Sequence, residues 1–500
     1  MSEKVKGARL IINYMSYVFI LIGIMILFPV ILLFFYPDNV SCADCFILPG
    51  GLSLLIGIIG VIKFNGKEKA DLRKNDDVII VLLTWFMAIF IGAIPFIMNG
   101  MTFTNAVFET TGGITGAAIT IIDVDNTPEM FLLYRSILLF TSGVGFILII
   151  TSAISKRYGM KLYNAEGHSD KLMPNLADSA RTILGIYLGY IIGGTVLYML
   201  CGMNCFDAVN HSIAATATGG FSTRNESIGY YDSFSIEIVS MILMILGSTS
   251  FMVNLFLLKG KFKMALMHCE TKLVLFILAV FTPIIAFLLA SNSIVGVTES
   301  VRVSLFHIIS ILTTTGFQTI ESFAVLPSSI IFLLILLMFV GGGVGSTAGG
   351  IKQARVALYL KSVWWNIKEK FNHSQVIKVH KLNKFGKKEI ISEDEERKNT
   401  MFVSTYFFVI LISTFILCLY GYDIQKSFFE VSSAIGSAGV TIGIASQTAP
   451  LGVMWTLIVD MFIGRLEIYI VIIGIAEIVR RIKYDRKQKK FKEKVGVDVK

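Results

Sequence analysis

The chain has 500 residues, 54% hydrophobic and 16% charged, with a mean hydropathy of +0.72 and a formal net charge of +9. A water-soluble domain would carry nearer a quarter charged residues, so the composition excludes a soluble globular protein. Nucleic-acid binding is not implied by the positive balance, because the basic residues collect in segments between apolar stretches.

The apolar stretch Ala8–Phe35 is too long for the core of a cleavable leader, and no small-residue cleavage site follows it. It reads as a first spanning helix. A span needs about 20 apolar residues. Candidates lie at 9–35, 46–63, 77–98, 129–153, 180–201, 235–258, 272–291, 328–364, 400–421 and 452–481, the eighth interrupted by a glycine-rich run. Lys4, Lys6 and Arg9 precede the first span. Lys63, Lys67, Lys69, Arg73 and Lys74 follow the second, Lys156, Arg157, Lys161 and Lys171 the fourth, and Lys259, Lys261, Lys263 and Lys272 the sixth. The stretch 352–398 and the tail from Arg480 are also Lys-rich, whereas the alternate loops carry mainly Arg224, Arg302 and Lys426. By the positive-inside rule both termini are cytoplasmic, and ten spans satisfy that parity.

Cys42 and Cys45 form a CxxC after the first span, and Cys201 and Cys205 end the fifth. Either pair is compatible with a disulfide outside the cytoplasm or with free thiols, and no metal framework is suggested. A redox CxxC expects a βαβ context, which is missing here.

Four outer segments are too long to be turns: Asn105–Thr120, Asp207–Thr223, Ser304–Thr319 and Lys426–Gly443. Each opens as a short semi-apolar helical run and ends in Gly, Ser, Thr and Ala. Glu109, His211, His307 and Glu430 share one register. Nine residues on stand Ala118, Gly220, Gly316 and Gly439, each followed by an apolar residue: Ile119, Phe221, Phe317 and Val440. This is fourfold self-similarity in one chain. It divides the sequence into two extra N-terminal helices (1–76), a first repeat (77–178), a second (179–271), a third with a cytoplasmic linker (272–398), and a fourth with a basic tail (399–500).

Irregular backbone at membrane depth is tolerated only where it lines water or is buried in protein. A short descending helix ending in a Thr-Gly turn aims carbonyls at a common axis, and glycine permits the positive φ this requires. Four such turns form rings of oxygens that replace a cation's hydration shell. The expected fold is therefore an all-α membrane protein of about ten spans with four re-entrant helix-and-turn loops in pseudo-fourfold order. Gly341, Gly342, Gly343, Gly345, Ser346, Thr347, Gly349 and Gly350 lie in a run that cannot hold a bilayer helix, since Gly costs about 1 kcal/mol relative to Ala. A flexible segment in a pore helix is a natural gate. The run lacks the GxxxxGK[ST] pattern of a phosphate loop. Arg465 stands inside an apolar helix, where a charge is either functional or structurally paired, for instance with Asp460. Glu467 faces a different side of that helix. Arg135 reads as an interfacial anchor or a pore-helix partner. The four in-register Glu and His residues read either as attracting cations or as holding the pore helices, the latter being favoured.

Several of these motifs resemble the Trk/Ktr/HKT superfamily of potassium transporters. They are Thr313-Thr314-Thr315-Gly316-Phe317, Thr218-Gly219-Gly220-Phe221-Ser222-Thr223, the run Gly341–Lys352 and Gly464-Arg465-Leu466-Glu467. The resemblance covers nearly the whole chain, and two helices before the first repeat match the TrkH-like branch. It implies potassium uptake across the cell membrane, with K+ as the transported ion and no organic cofactor. K+ would meet filter oxygens from Thr115, Gly116, Ala117 and Ala118; Ala217, Thr218, Gly219 and Gly220; Thr313, Thr314, Thr315 and Gly316; and Ser437, Ala438 and Gly439. The glycine run and Arg465 would obstruct the cytoplasmic side. The resemblance also implies a homodimer and a cytosolic nucleotide-binding, TrkA-like regulatory subunit. Segments 365–398 and 480–500 would contact that subunit or inner-leaflet lipid, the latter worth about 1 kcal/mol per charge.

The first repeat departs from the pattern, with Ala118 where the family places glycine or serine. A non-glycine residue with left-handed dihedrals costs about 1–2 kcal/mol. Either the turn slips so that Gly116 serves, or a quarter of the ring is distorted; both weaken discrimination between K+ and Na+. The fourth repeat lacks threonine but keeps Gly439. A relaxed monovalent-cation transporter and an ion-coupled secondary transporter are the alternatives. Inverted repeats would predict halves of opposite topology, whereas these four segments enter from one side. No convergent His, Cys or carboxylate cluster supports an enzyme.

Overall fold

The computed structural model describes residues 2–64, 75–144, 176–371, 380–466 and 468–495. The expectations for Lys67, Lys69, Arg73, Lys74, Lys156, Arg157, Lys161, Lys171 and Glu467 lie outside the described residues.

Among the described residues, six helices are long and apolar enough to cross a membrane: Ile11–Phe34, Asp44–Phe64, Asp76–Met98, Asp178–Leu200, Cys269–Ser291 and Glu393–Leu419. Four shorter helices, Phe103–Thr115, Cys205–Thr216, Val297–Leu312 and Ile424–Gly436, of 12 to 16 residues, lie between or after them. At 1.5 Å per residue these rise roughly 18–24 Å, short of the roughly 30 Å hydrocarbon core. Side chains start three of them. Thr102 accepts from Asn105 N, Asn204 from Asp207 N, and Asp423 from Gln425 and Lys426 N. These caps satisfy backbone donors that a helix start leaves orphaned.

One expected span is corrected. The sixth, 235–258, is not one helix: Phe234–Ser248 and Phe251–Leu258 meet at 117°. Thr249 is extended, Ser250 caps the second half by accepting from Val253 N, and Asn254 Nδ2 donates to the Leu246 and Thr249 carbonyls. Hydroxyl and amide side chains thus supply partners for backbone groups that the break releases. Of the tenth, 452–481, the described residues are helical on both sides of residue 467, over Leu451–Leu466 and Ile468–Val495. The eighth is interrupted as expected: Ser328–Met338 gives way to irregular backbone and then to Gln353–Lys370.

Among the described residues the fold is mainly helical, with one two-stranded hairpin. Lys381–Lys384 pairs antiparallel with Lys387–Ile390. The two-residue loop Phe385-Gly386 has positive φ at both positions (51° and 83°), the geometry of a type I′ hairpin. All six cysteines are free thiols, so neither candidate pair is a disulfide.

Hydrogen bonds close the four repeats into a ring. Val124 N donates to Asn225 Oδ1 (2.9 Å), Gly229 N to the Gln318 carbonyl (3.1 Å), Ser328 Oγ to Gln425 Oε1 (2.9 Å), and Gln447 Nε2 to the Ile121 carbonyl (3.0 Å). These join repeats one to two, two to three, three to four and four to one.

Candidate ion pathway

Each short helix ends in a turn with positive φ at two positions, separated by one residue. The pairs are Gly116 and Ala118 (75° and 49°), Thr218 and Gly220 (51° and 73°), Thr314 and Gly316 (56° and 88°), and Ser437 and Gly439 (53° and 77°). Alternating left-handed and ordinary residues turn successive carbonyls in a repeating way. Ala118 therefore keeps the register of the three glycines. The turn does not slip onto Gly116, because Gly116 already fills the other left-handed position.

The turns meet one another. A Cβ on Gly220 would collide with the Thr315 carbonyl oxygen, and one on Gly316 with the backbone of Ala438 and Gly439. A Cβ on Gly439 would stand 2.8 Å from the Thr315 oxygen and 3.2 Å from the Ala117 oxygen. Glycine at these three positions is a requirement of close backbone approach. The four helix C-termini, each carrying partial negative charge from unpaired carbonyls, converge on the same region. All fifteen candidate filter residues sit in these turns.

The in-register Glu and His residues pin the ascending strand after each turn. Glu109 accepts from Thr120 Oγ1 (2.8 Å) and Ile121 N (3.2 Å), and Glu430 from Thr441 Oγ1 (2.7 Å), Ile442 N (3.0 Å) and Ala445 N (3.1 Å). His211 Nε2 pairs with Ser222 Oγ (2.8 Å), and His307 Nε2 accepts from Thr319 N (3.3 Å). In every repeat a partner stands 11 or 12 positions on, and Glu430 adds Ala445, 15 positions on. Arg135 is a pore-helix partner. Fully buried, it donates to Glu109 (2.8 Å) and to the Ser222 carbonyl (3.1 Å), and its guanidinium covers the Phe221 ring at 3.9 Å. It therefore ties the first turn to the second.

The glycine run lies against the turns of the second, third and fourth repeats. Gly341 N donates to the Ile351 carbonyl (2.9 Å), closing the run into a loop. Gly343 N donates to the Ser248 carbonyl (2.8 Å), at the break in the sixth span. Thr347 Oγ1 donates to the Gly247 carbonyl (3.0 Å) and pairs with Thr218 Oγ1 (3.0 Å). Gly349 N donates to Thr314 Oγ1 (3.1 Å), and a Cβ on Gly349 would press on Ser437. Arg465 Nη1 donates to the Thr347 carbonyl at 2.5 Å, and Nη2 donates to the Ser142 carbonyl. The expected alternative partner of Arg465, Asp460, instead accepts from Ser413 (2.7 Å).

Sequence reasoning missed two elements. Ser248-Thr249-Ser250 receives the loop, and its only sequence signal is three hydroxyl residues in an apolar stretch. Glu270 accepts from Val344 N (2.9 Å), an acid in the first turn of a spanning helix that the sequence leaves unassigned.

A family model described as TrkH, cation transport protein, matches residues 51–484. The chain is 31% identical over 479 residues to an uncharacterized cation transporter of Methanocaldococcus jannaschii, covering 94% of this chain and 95% of that one. It is 33% identical over 427 residues to the Trk system potassium uptake protein TrkG of Escherichia coli K12, covering 81% and 86%. The crystal structure of the potassium transporter TrkH from Vibrio parahaemolyticus superposes with a TM-score of 0.82 at 25% identity, over 93% of this chain and 98% of that one.

Proposed function

This chain belongs to the TrkH family of cation transport proteins, and we propose that it takes up potassium across the cell membrane through the axis of its four turns. The observation that carries this reading is the fourfold recurrence of paired positive-φ residues at converging helix C-termini. A dehydrated K+ ion passes the carbonyls of residues 115–118, 217–220, 313–316 and 437–439, which stand in for its water shell. Converging C-terminal dipoles favour a cation there over an anion.

The glycine loop is the gate and Arg465 its electrostatic bar. The arrangement described is a closed one, since the loop bonds to Gly247, Ser248, Thr218, Thr314 and Arg465 at once. Opening requires those bonds to be exchanged together.

The protein is a multi-pass membrane protein with both termini in the cytoplasm, working as a homodimer with a cytosolic nucleotide-binding regulatory subunit. The basic segments near 365–398 and 480–500 support a cytoplasmic location for that contact.

Rubidium uptake into liposomes holding the purified chain, with the reversal potential under a K+/Na+ gradient, tests the reading. Saturable rubidium uptake with a reversal displaced toward the potassium value supports it. Uptake unchanged when Thr314 and Thr315 are replaced by bulky residues would sink it. Ala118 favours a second reading, relaxed K+/Na+ discrimination, for which a reversal near zero is the sign.

A further inference from the structure

Among the loop's anchors outside the turns and the pore helices is a buried carboxylate. Glu270 lies at the start of the spanning helix Cys269–Ser291 and is nine-tenths or more buried. Its Oε1 accepts from Val344 N at 2.9 Å, and a Cβ on Gly343 would stand 2.7 Å from its Oε2. Oε2 also faces His268 Nε2 at 3.3 Å. His268, equally buried, lies flat against the Phe385 ring, with centroids 4.1 Å apart and planes 7° apart. Phe385 is the tip of the small hairpin, and its other neighbour is Phe256 (5.2 Å), on the second half of the broken sixth span.

A continuous row of contacts thus runs from hairpin to gate: Phe385 on His268, His268 on Glu270, Glu270 on the Val344 amide. The hairpin grows from the linker between Gln353–Lys370, which continues from the loop, and Glu393–Leu419. Its tip therefore returns to the far side of the segment from which it emerges. Loop and hairpin bracket the same helix start.

We propose that the hairpin Lys381–Ile390 is the control lever of the gate, holding the loop across the axis through a Phe385–His268–Glu270–Val344 latch. Withdrawing Phe385 frees His268 to turn away, Glu270 loses the neighbour that orients it, and the loop loses an anchor on its third-repeat side. Glu270 and His268 are positioning residues here and do not touch the ion. The latch rests on the reading of the glycine loop as the gate.

The test uses the full chain in liposomes and reads basal rubidium uptake. It also reads the rate at which Val344→Cys, in a background lacking the six native cysteines, is labelled by a maleimide. Phe385→Ala and Glu270→Ala are expected to raise both, uptake on the order of tenfold, as losing one hydrogen bond to a charged group implies. Phe385→Trp keeps the stack, and Glu270→Gln keeps a carbonyl acceptor for Val344 N; both are expected to stay near the parent values. The Phe385→Ala, Glu270→Ala double variant is expected to match Glu270→Ala alone, because the tip acts through the carboxylate. Additive effects, or wild-type uptake and labelling in Phe385→Ala, would overturn the latch. Should Glu270→Ala fail to fold, Phe385→Ala, at a half-exposed hairpin tip, decides alone. Deleting Ser346–Ala348 separates the two readings. If the deletion raises uptake and Phe385→Ala does not, the latch falls and the gate stands. If the deletion leaves uptake unchanged, the gate reading falls and the latch with it.

Discussion

Arg465 Nη1 donates to the Thr347 carbonyl oxygen at 2.5 Å while the other arm of the same guanidinium donates to Ser142. One side chain of the fourth repeat therefore holds both the loop, which belongs to the third repeat, and a helix of the first. A hydrogen bond from a charged donor is worth about 1.5–3 kcal/mol. Arg465→Gln is expected to raise rubidium uptake roughly tenfold or more by weakening the closed state and removing a positive charge from the path. Unchanged uptake with normal expression would show that the guanidinium is only structural.

Ala118 adopts φ 49° at a position where the other repeats have glycine. Relief of left-handed strain is worth about 1–2 kcal/mol, against which a new glycine loses about 0.4–1 kcal/mol through the unfolded chain. Ala118→Gly should therefore leave the melting temperature close to that of the parent. Its effect should appear in the reversal potential, moved toward the potassium value.

The reverse change is not tolerated elsewhere. A Cβ on Gly220 runs into the Thr315 carbonyl, and backbone on both sides leaves no flexible atom to yield. Gly220→Ala is expected to abolish rubidium uptake, while Gly100→Ala, where a Cβ meets open space, should retain transport at a small stability cost from its positive φ.

Arg135 and Glu109 form a buried ion pair at 2.8 Å. Removing one partner strands the other charge, at a cost of about 3–5 kcal/mol. Arg135→Ala should lower the melting temperature and yield of detergent-solubilised protein, and Arg135→Met with Glu109→Gln should recover part of the loss. No recovery would mean that the contacts to Ser222 and Phe221 dominate.

In the first turn of the second short helix, burial alone would raise the Asp207 carboxyl above its ordinary value. Hydrogen bonds from Thr223, Tyr231 and Arg224 outweigh that and hold it below. A depressed carboxyl contributes stability that is present above its unfolded value and is lost as pH falls through its folded value. Asp207→Asn is therefore expected to reduce the melting temperature at neutral pH. The gap to the parent should close under strongly acidic conditions. A gap that widens with acid would reverse the sign and refute the assignment.

Much of this was legible in the sequence. The common register of Glu109, His211, His307 and Glu430 locates all four turns, and the glycine composition of 341–350 marks the loop. Composition could not show the break at Thr249, because one extended residue between apolar runs barely changes hydropathy. Nor could spacing resolve Ala118, since every turn has two left-handed positions and sequence alone suggests one per glycine. Glu270 was illegible for another reason: its partner Val344 lies 74 residues away, and no local pattern links an acid at a helix start to a distant amide. The hairpin was hidden by its composition. Lysines alternate with little apolar content, and only Phe385-Gly386 hints at a turn.

The ring of hydrogen bonds joining the four repeats is made by a different residue pair at each seam: Asn225, Gln318, Gln425 and Gln447 each serve one junction. Four identical subunits would have to repeat any change four times over. A single polypeptide escapes that rule, so each quarter can drift on its own. One quarter here accepts an alanine, another grows a loop long enough to reach its two neighbours, and a third bends to receive it. Division of labour among near-copies lets a symmetric conduit be closed by an asymmetric part.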